Sequence, residues 1–564
     1  MTYTKPGCYA DRMNKAVDDK IAAVLVIGAG IIPARTFTGQ SSNIQALLDQ
    51  IGIQQISVLD FGAVGNGVVD DAPAIQAAAN WLVGANNRRL IFPAGFRFRV
   101  ASGVVFDFAG GVGGQIVMYS PITPDASVAE AFRIKDGRDL SGRLMVRGGG
   151  GDANYMVADP FGGTEAFVFS GTRKPHFEIY ATSYLGRVLR TKTGGYFKLS
   201  YCDFSITTGD RPEAINAVQI GQACYLEDDG SAFGRISKLD SAWSKYSPVF
   251  YNVVDIVIDY AEIGALNPTN SPWTFKGCGS VWLGTILGGD ETSIHSMLLF
   301  DDDDEGNHCR RVNIDLLFAV QPKNAIVARN FVGDADGLTI NKIVCTSSAE
   351  DVVVLENMAR VWIKNVSGRA CYRIAKISGS CGHIDIGIDG INSKREAVAI
   401  EAGTTGTIRV SGLAVESGSE VAATYAHVRV SSTACRVDLT DLNLKGSVNP
   451  LGCCDLVAGS TVRAFGGRWE TSAKFVGQGA ECVEIDHVQG LVNNVWMTVT
   501  IPAGQTSVTV AHGLFAIPSY GTLGPTHAEV ADASLAVSTT NVTVTVPSAV
   551  TANRNVHVHV VRRP

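Results

Sequence analysis

At 564 residues the chain exceeds what one ordinary core can hold, so several domains or a repeat array are expected. Apolar residues at 46%, charged residues at 18% and 61 glycines exclude a disordered chain and suit an all-β protein with many turns. The net charge of −7, with no basic run, excludes a grip on nucleic-acid phosphates.

In chain order, "AAVLVIGAGIIPA" (22–34) is the longest apolar run near the start, too short to cross a bilayer. Asp11, Asp18 and Asp19 precede it, the wrong charge for a signal peptide, so neither export signal nor membrane insertion is expected. The twelve cysteines are scattered without a CxxC pair and its downstream partner. They read as reduced, buried small hydrophobes of a chain folded in a reducing cytoplasm.

Next comes "VLDFGAVGNGVVDDAPAIQAAANWL" (58–82), followed by "FPAG" (92–95). Asp71 is placed to N-cap a helix starting at Ala72, with Pro73 in its first turn. Ile75, Ala78, Ala79 and Leu82 then form one apolar face, and Gly84 is placed to stop the helix. "VGNGV" reads as a turn needing positive φ.

From the middle of the chain onward a short apolar-x-apolar strand keeps returning. Its first apolar residues are Ile256, Val281, Val312, Leu338, Val361, Ile384, Ile408, Val437 and Val462, about 25 residues apart. Weaker copies are "HFEIY" (176–180), "YFKLS" (196–200) and "RISKL" (235–239). A second strand precedes each strong copy, from "PVFYN" (248–252) to "HVRVS" (427–431). Two or three short strands per period, without helical spacing, describe a parallel β-helix whose coils stack about 4.8 Å apart. Antiparallel hairpins would call for Asn-Gly or Asp-Gly turns, which are rare here. On this alignment Arg329, Glu356, Lys376 and Glu401 should form a structural ladder of alternating charge. The last stretch, from 496 to 561, alternates strictly and marks half-buried antiparallel strands; His557 and His559 share a face, with no third metal ligand to join them.

The segment 58–95 resembles the lead-in of the pectin-lyase-like right-handed β-helix superfamily, with its "DFGA…G…DD…AIQAA" pattern followed by "PAG". On that resemblance Asp60, Asp70 and Asp71 are structural, and the helix covers the open end of the solenoid. The Asn-Thr-Asp, Asp-Asp, Gly-His-Gly and Arg-Ile-Lys motifs of polygalacturonases have no matching set: "DGLTINK" (336–342) lacks the aspartate and "CGHID" (381–385) the second glycine. The organisation is instead similar to a phage tailspike or tail-fibre polysaccharide depolymerase. The resemblance implies an all-β fold: a right-handed parallel β-helix with an N-terminal capping helix and a small C-terminal antiparallel β-sandwich domain. It implies a virion-attachment region at 1–50, a lead-in at 51–135, the β-helix at 136–490, and a terminal domain at 491–564 for trimerisation or carbohydrate binding. It further implies a homotrimer on the virion, made in the host cytoplasm. Its expected partners are a phage tail or baseplate protein and a bacterial surface polysaccharide, capsule or O-antigen.

Three acid clusters fall between the two strands of their coils: "LEDDG" (226–230), "DDDDEGNH" (301–308) and "GDADG" (333–337). Bulging loops on a rigid solenoid build its binding face. Glycoside hydrolysis needs two carboxylates, about 5–5.5 Å apart for retention and about 6.5–9.5 Å for inversion. Coil spacing of about 4.8 Å supplies such separations. The candidate catalytic residues are therefore Asp302, Asp304 and Glu305, with Glu227 and Asp229 three coils back, and Glu262 with Asp290 on an opposite edge. His308, Arg311, Asp336, Trp273 and Trp282 are candidate substrate contacts, and Trp243 and Trp362 also fall on or near coil strands. No cofactor is expected. The bland readings are solvated surface or bound calcium for "DDDDE", and core packing for each tryptophan. Two functional alternatives stand beside the hydrolase: a polysaccharide lyase using Lys342 and Lys364, which the acid-rich edge disfavours for an anionic polymer, and a non-catalytic receptor-binding fibre.

Overall fold

The computed structural model of the chain describes residues 54–148, 164–195, 198–208, 220–227, 232–265, 273–289, 296–303, 305–333, 337–412, 415–417, 425–445, 454–469, 475–477, 483–486, 494–512, 514, 518, 520–538 and 540–561. The expected attachment region at 1–50 lies outside them, as do Cys8, Cys453 and Cys482.

Among the described residues, parallel pairing joins 38 strands into one continuous coiled sheet. The nine repeat residues named above stand in register. Ile256 pairs with Val281, Val281 with Val312, Val312 with Leu338 and Leu338 with Val361. Val361 then pairs with Ile384, and so on through Ile408 and Val437 to Val462. The preceding strands form their own ladder, here called sheet A: Val249–Tyr251, Trp273–Lys276, Leu298–Asp301, Ile326–Phe331, Asp351–Met358 and Arg373–Ser378. The repeat strands are longer, such as Val254–Ala265, Gly279–Gly289, Arg310–Val320 and Leu338–Thr346. Their in-out alternation slips by one where two successive side chains face outward, at 259–260, 315–316 and 341–342. Each such strand turns a corner there, so its first half belongs to sheet B and its second half to sheet C.

Because side chains alternate across a strand, each coil buries one row and must cover it with the next. Phe250, Phe275 and Phe300 show the result: in register and fully buried, with ring centroids 4.4 Å and 4.8 Å apart at interplanar angles of 3° and 17°. The nine described cysteines are likewise buried and free.

Helix α1 (Ala72–Val83) covers the first rung of sheet A, Val104–Asp107. Ile75, Ala78, Ala79 and Leu82 are fully buried. Gln76 completes the closure: its amide donates to the Val105 carbonyl (2.9 Å) and accepts from the Val105 N–H (2.8 Å), replacing the neighbour that the edge strand lacks. The caps differ from expectation. Asp71 sits at the N-cap but gives α1 no side-chain hydrogen bond. Its carboxylate instead accepts from the Val64 N–H (2.6 Å) and Gly65 N–H (3.2 Å), tying the preceding turn, while Asp70 accepts from the Ala72 and Ala101 N–H groups. Gly84 has φ −71°, so the helix stops without the left-handed residue anticipated there.

Two details of the repeat are corrected. The rung after His176–Thr182 is Cys202–Thr208, not "YFKLS", because the phenylalanine that continues the Phe177 row is Phe204. In the charge ladder Arg329 opposes Glu356, with Nε 3.3 Å from Oε2, but Glu356 opposes Ser378 rather than Lys376. Lys376 lies two residues out of register, and Glu401 pairs with Arg429 at 2.9 Å.

At the chain's end two three-stranded antiparallel sheets face a shared valine-rich core. One comprises Asn494–Ile501, Arg554–Val561 and Tyr520–Pro525; the other comprises Ser507–Ala511, Asn541–Thr545 and Ser534–Val537. His557 and His559 point outward there. The Thr498 hydroxyl and His557 Nδ1 are 3.0 Å apart, and His559 stacks on the exposed Trp496 ring at 3.7 Å. No cluster of three or more metal-ligating side chains occurs among the described residues.

Candidate functional site

On the two rungs before Leu298–Asp301 the chain passes from sheet A to sheet B in two residues, 252–253 and 277–278. After Leu298–Asp301 it takes eight, 302–309, before Arg310–Val320 begins. Asp303 holds this bulge together. It is 6% exposed and accepts hydrogen bonds from the Glu305 N–H (2.9 Å), the Asn307 N–H (2.7 Å) and the Asn307 amide (2.6 Å). Burial alone would raise its carboxyl. The bonds from Asn307, Asn252 and Glu305 outweigh burial and hold it below the usual carboxylate range.

Asp302 faces His308, Oδ1 to Nδ1 at 2.7 Å, and Glu305 is exposed at the tip. Three of the expected acids, Asp304, Asp229 and Asp290, and the expected contact Asp336 lie outside the described residues. Glu227 stands three rungs behind Asp301 in one column, through Tyr251 and Lys276. It is bound into a buried ionic network rather than presented: Arg190 Nη2 lies 2.5 Å from its Oε2, and Arg187 pairs with Glu165 at 2.7 Å. Glu262 is exposed on sheet C, where its neighbours in register are Leu287 and the buried Asp240. Burial, Glu262 and Asp240 together push the nearby Tyr260 phenol up.

The two tryptophans separate cleanly. Trp273 is fully buried, its indole N–H donating to Ser241 Oγ (3.1 Å), which corrects its assignment as a substrate contact. Trp282 is 48% exposed on sheet B. Its column runs through Asn313 and Thr339 to Trp362, 56% exposed. Three rung spacings put these two rings about 14 Å apart on one face. Beside them the column of Arg311, Gly337, Arg360 and His383 has a bare glycine in its floor. A depression of about 590 Å³ opens there, lined by Gly337, Thr339, Arg360, Trp362 and His383 among others.

The next outward column reads Asp259, Gly284, Asp315, Asn341. Gly284 is required: a Cβ would meet the Asp259 carbonyl oxygen at 2.3 Å. Two rungs apart, Asp259 and Asp315 have backbones about 9.6 Å from each other, with no side chain between. Asp315 accepts from the Trp282 indole N–H (3.3 Å) and the Asn341 amide (2.9 Å), and Asp259 pairs with Arg235 at 2.5 Å. Asp259, Asp315, Arg360 and His383 were not singled out in the sequence, yet the signal was there. Each repeat strand that points one residue inward points the next outward, so the row three places after Ile256, Val281, Val312 and Leu338 reads Asp259, Gly284, Asp315 and Asn341, and the row one place before Val361 and Ile384 reads Arg360 and His383. Lys342 and Lys364 are both exposed at the corner between sheets B and C, on adjacent rungs.

No family model and no curated protein matches the chain. Among solved structures the chain is similar to the tailspike protein of E. coli bacteriophage HK620 in complex with pentasaccharide. The TM-score is 0.48 and the identity 12%, over 97% of this chain and 100% of that one. A double mutant of the same tailspike overlaps with a TM-score of 0.49 at the same identity and coverage. At these scores the likeness supports no statement about ligand or reaction.

Proposed function

We propose that the chain is a phage tailspike depolymerase that binds a bacterial surface polysaccharide along the outward face of sheet B and cleaves it by hydrolysis. The observation that carries this reading is the exposed Trp282–Trp362 column, with the Asp259–Gly284–Asp315 carboxylate pair beside it. Indole faces suit the apolar faces of sugar rings. The bare glycine leaves room for a glycosidic bond between two acids. Their backbones stand about 9.6 Å apart, so side chains leaning toward each other over Gly284 would bring the carboxyl groups to the roughly 6.5–9.5 Å of inverting enzymes, where one acid protonates the leaving oxygen and the other activates water. Asp302, Glu305, His308 and Arg311 on the adjoining edge would then hold sugar hydroxyls. The similarity of segment 58–95 to the β-helix lead-in agrees with the tailspike assignment.

The test is incubation of the protein with a panel of purified capsule and O-antigen polysaccharides, following chain length and reducing ends. Shortening with new reducing ends is expected, and it should vanish in Asp315→Asn and Asp259→Asn. Loss only in Asp302→Asn or Glu305→Gln would move the reacting acids to the loop. A second reading, a lyase, is favoured by the exposed Lys342 and Lys364 near Asn341. Its signature is ultraviolet absorbance from an unsaturated uronate. Binding without shortening on any polymer would leave a receptor-binding fibre.

A further inference from the structure

We infer that the same sheet carries a second polysaccharide subsite nearer the N-terminus, on the face of strands Gln115–Met118, Ser141–Arg147 and His176–Thr182. This rests on the glycan-binding reading above and extends it to a separate group of residues. A depression of about 320 Å³ opens there, lined by Gln115, Val117, Tyr119, Ser141, Gly142, Arg143, His176 and Glu178. Its floor is low because Gly142 must lack a side chain: with φ 149°, a Cβ would lie 1.8 Å from the Ile116 carbonyl oxygen.

The polar groups around it are pre-set by one another. Arg143 donates to Glu178 Oε2 from both Nε (3.1 Å) and Nη2 (2.9 Å), and its guanidinium lies 5.2 Å over the Tyr180 ring. His176 Nδ1 stands 2.8 Å from Asp203 Oδ2 on the next rung. Tyr119 offers an aromatic side chain, 48% exposed, at the margin. Fixed donors and acceptors beside an exposed aromatic group suit the hydroxyls and ring face of a neutral sugar. Because each charge is already paired, an anionic ligand would find no net attraction.

The column geometry says what the occupant is. His176 leads in register through Asp203, Arg235 and Val257 to Trp282. Four rung spacings make about 19 Å to Trp282, and two more through Asn313 reach Thr339 in the first depression, about 29 Å in all, so the two depressions lie along one face of sheet B. A rigid track with two separated subsites fits one extended polymer, and gives long chains an advantage that short fragments lack.

The experiment compares binding of intact polymer and of its short oligosaccharide fragments, using the best ligand from the polysaccharide panel, by titration calorimetry in the cold. The variants are Tyr119→Ala, His176→Ala and the pair together, all at exposed positions and checked for unchanged thermal melting. The double variant is expected to lose about ten-fold in affinity for the polymer and less than about two-fold for fragments too short to span the track. Trp282→Ala should weaken both. If wild-type protein binds the polymer and the double variant binds it equally well, the second subsite is refuted while the Trp282 site stands. If wild-type protein binds no polysaccharide, the glycan reading itself falls, and the subsite with it.

Discussion

Replacing Phe275 by alanine tests the rung register directly, because Phe275 is the middle ring of three. It is fully buried, with Phe250 and Phe300 stacked on either side at 4.4 Å and 4.8 Å. Truncating a buried phenylalanine costs about 3–5 kcal/mol, of which each lost ring pair accounts for about 0.5–1.5 kcal/mol beyond area. Phe275→Leu keeps most of the volume but loses both ring pairs, and should cost about 1–3 kcal/mol. The assay is guanidinium unfolding followed by far-ultraviolet circular dichroism, or unfolding rates where refolding is incomplete. A double-mutant cycle sharpens it. Phe275→Ala with Phe300→Ala, one rung apart, should couple by about 0.5–3 kcal/mol. Phe275→Ala with Phe132→Ala, a buried ring on Glu130–Lys135 several rungs away, should be additive within about 0.5 kcal/mol. Additivity in both pairs, or equal coupling in both, would refute the stacking of these coils.

Further outcomes follow from single residues. Asp303→Ala removes the acceptor that three N–H groups share, so the 302–309 bulge should lose about 1–3 kcal/mol of local stability, read as faster amide exchange at Glu305 and Asn307. Gly412→Ala would set a Cβ 1.8 Å from the Ile388 carbonyl oxygen at φ 136°, and should lower the melting temperature, whereas the open Gly403→Ala should cost far less. Hydrogen bonds from Arg554, then Thr551, hold the Glu529 carboxyl at about 2. A folded pKa below the unfolded one means the bond stabilises above the ordinary carboxylate range and is lost as pH falls through about 2, so melting curves of wild-type and Arg554→Met protein should differ at neutral pH and converge near that value. Trp282→Ala with Trp362→Ala should weaken polysaccharide binding by at least about ten-fold with little change in melting, since both rings are about half exposed.

The coil register was legible because the buried row repeats with one chemistry, apolar, at a near-constant period, and burial on both flanks tolerates no slip. It failed at "YFKLS", where two aromatic-x-apolar runs compete within a few residues and only the one continuing the Phe177 row can stack. It failed at Lys376 because a charged ladder on an exposed face carries no comparable penalty for a two-residue offset. The helix face could be read from its spacing, but its caps could not. Asp70 and Asp71 are chemically alike, and the fold of the 64–65 turn decides which of them bonds where. For the site, the sequence pointed to loops because acid runs are conspicuous there. The isolated acids Asp259 and Asp315 each sit between apolar neighbours, and only stacking brings them onto one column. Trp273 and Trp282 look alike in sequence. Trp273 lies on sheet A, where Trp273, Thr274 and Phe275 are all fully buried, whereas Trp282 lies on the outward face of sheet B between the buried Val281 and Leu283.

The most direct measurement is a crystal structure of the protein with an oligosaccharide from the polymer it binds best. The account predicts sugar rings on the sheet B face, stacked on Trp282 and Trp362, with a glycosidic oxygen above Gly284 between Asp259 and Asp315. Sugar bound on sheet A, on sheet C or on the terminal antiparallel sheets, with the Trp282 column bare, would contradict it.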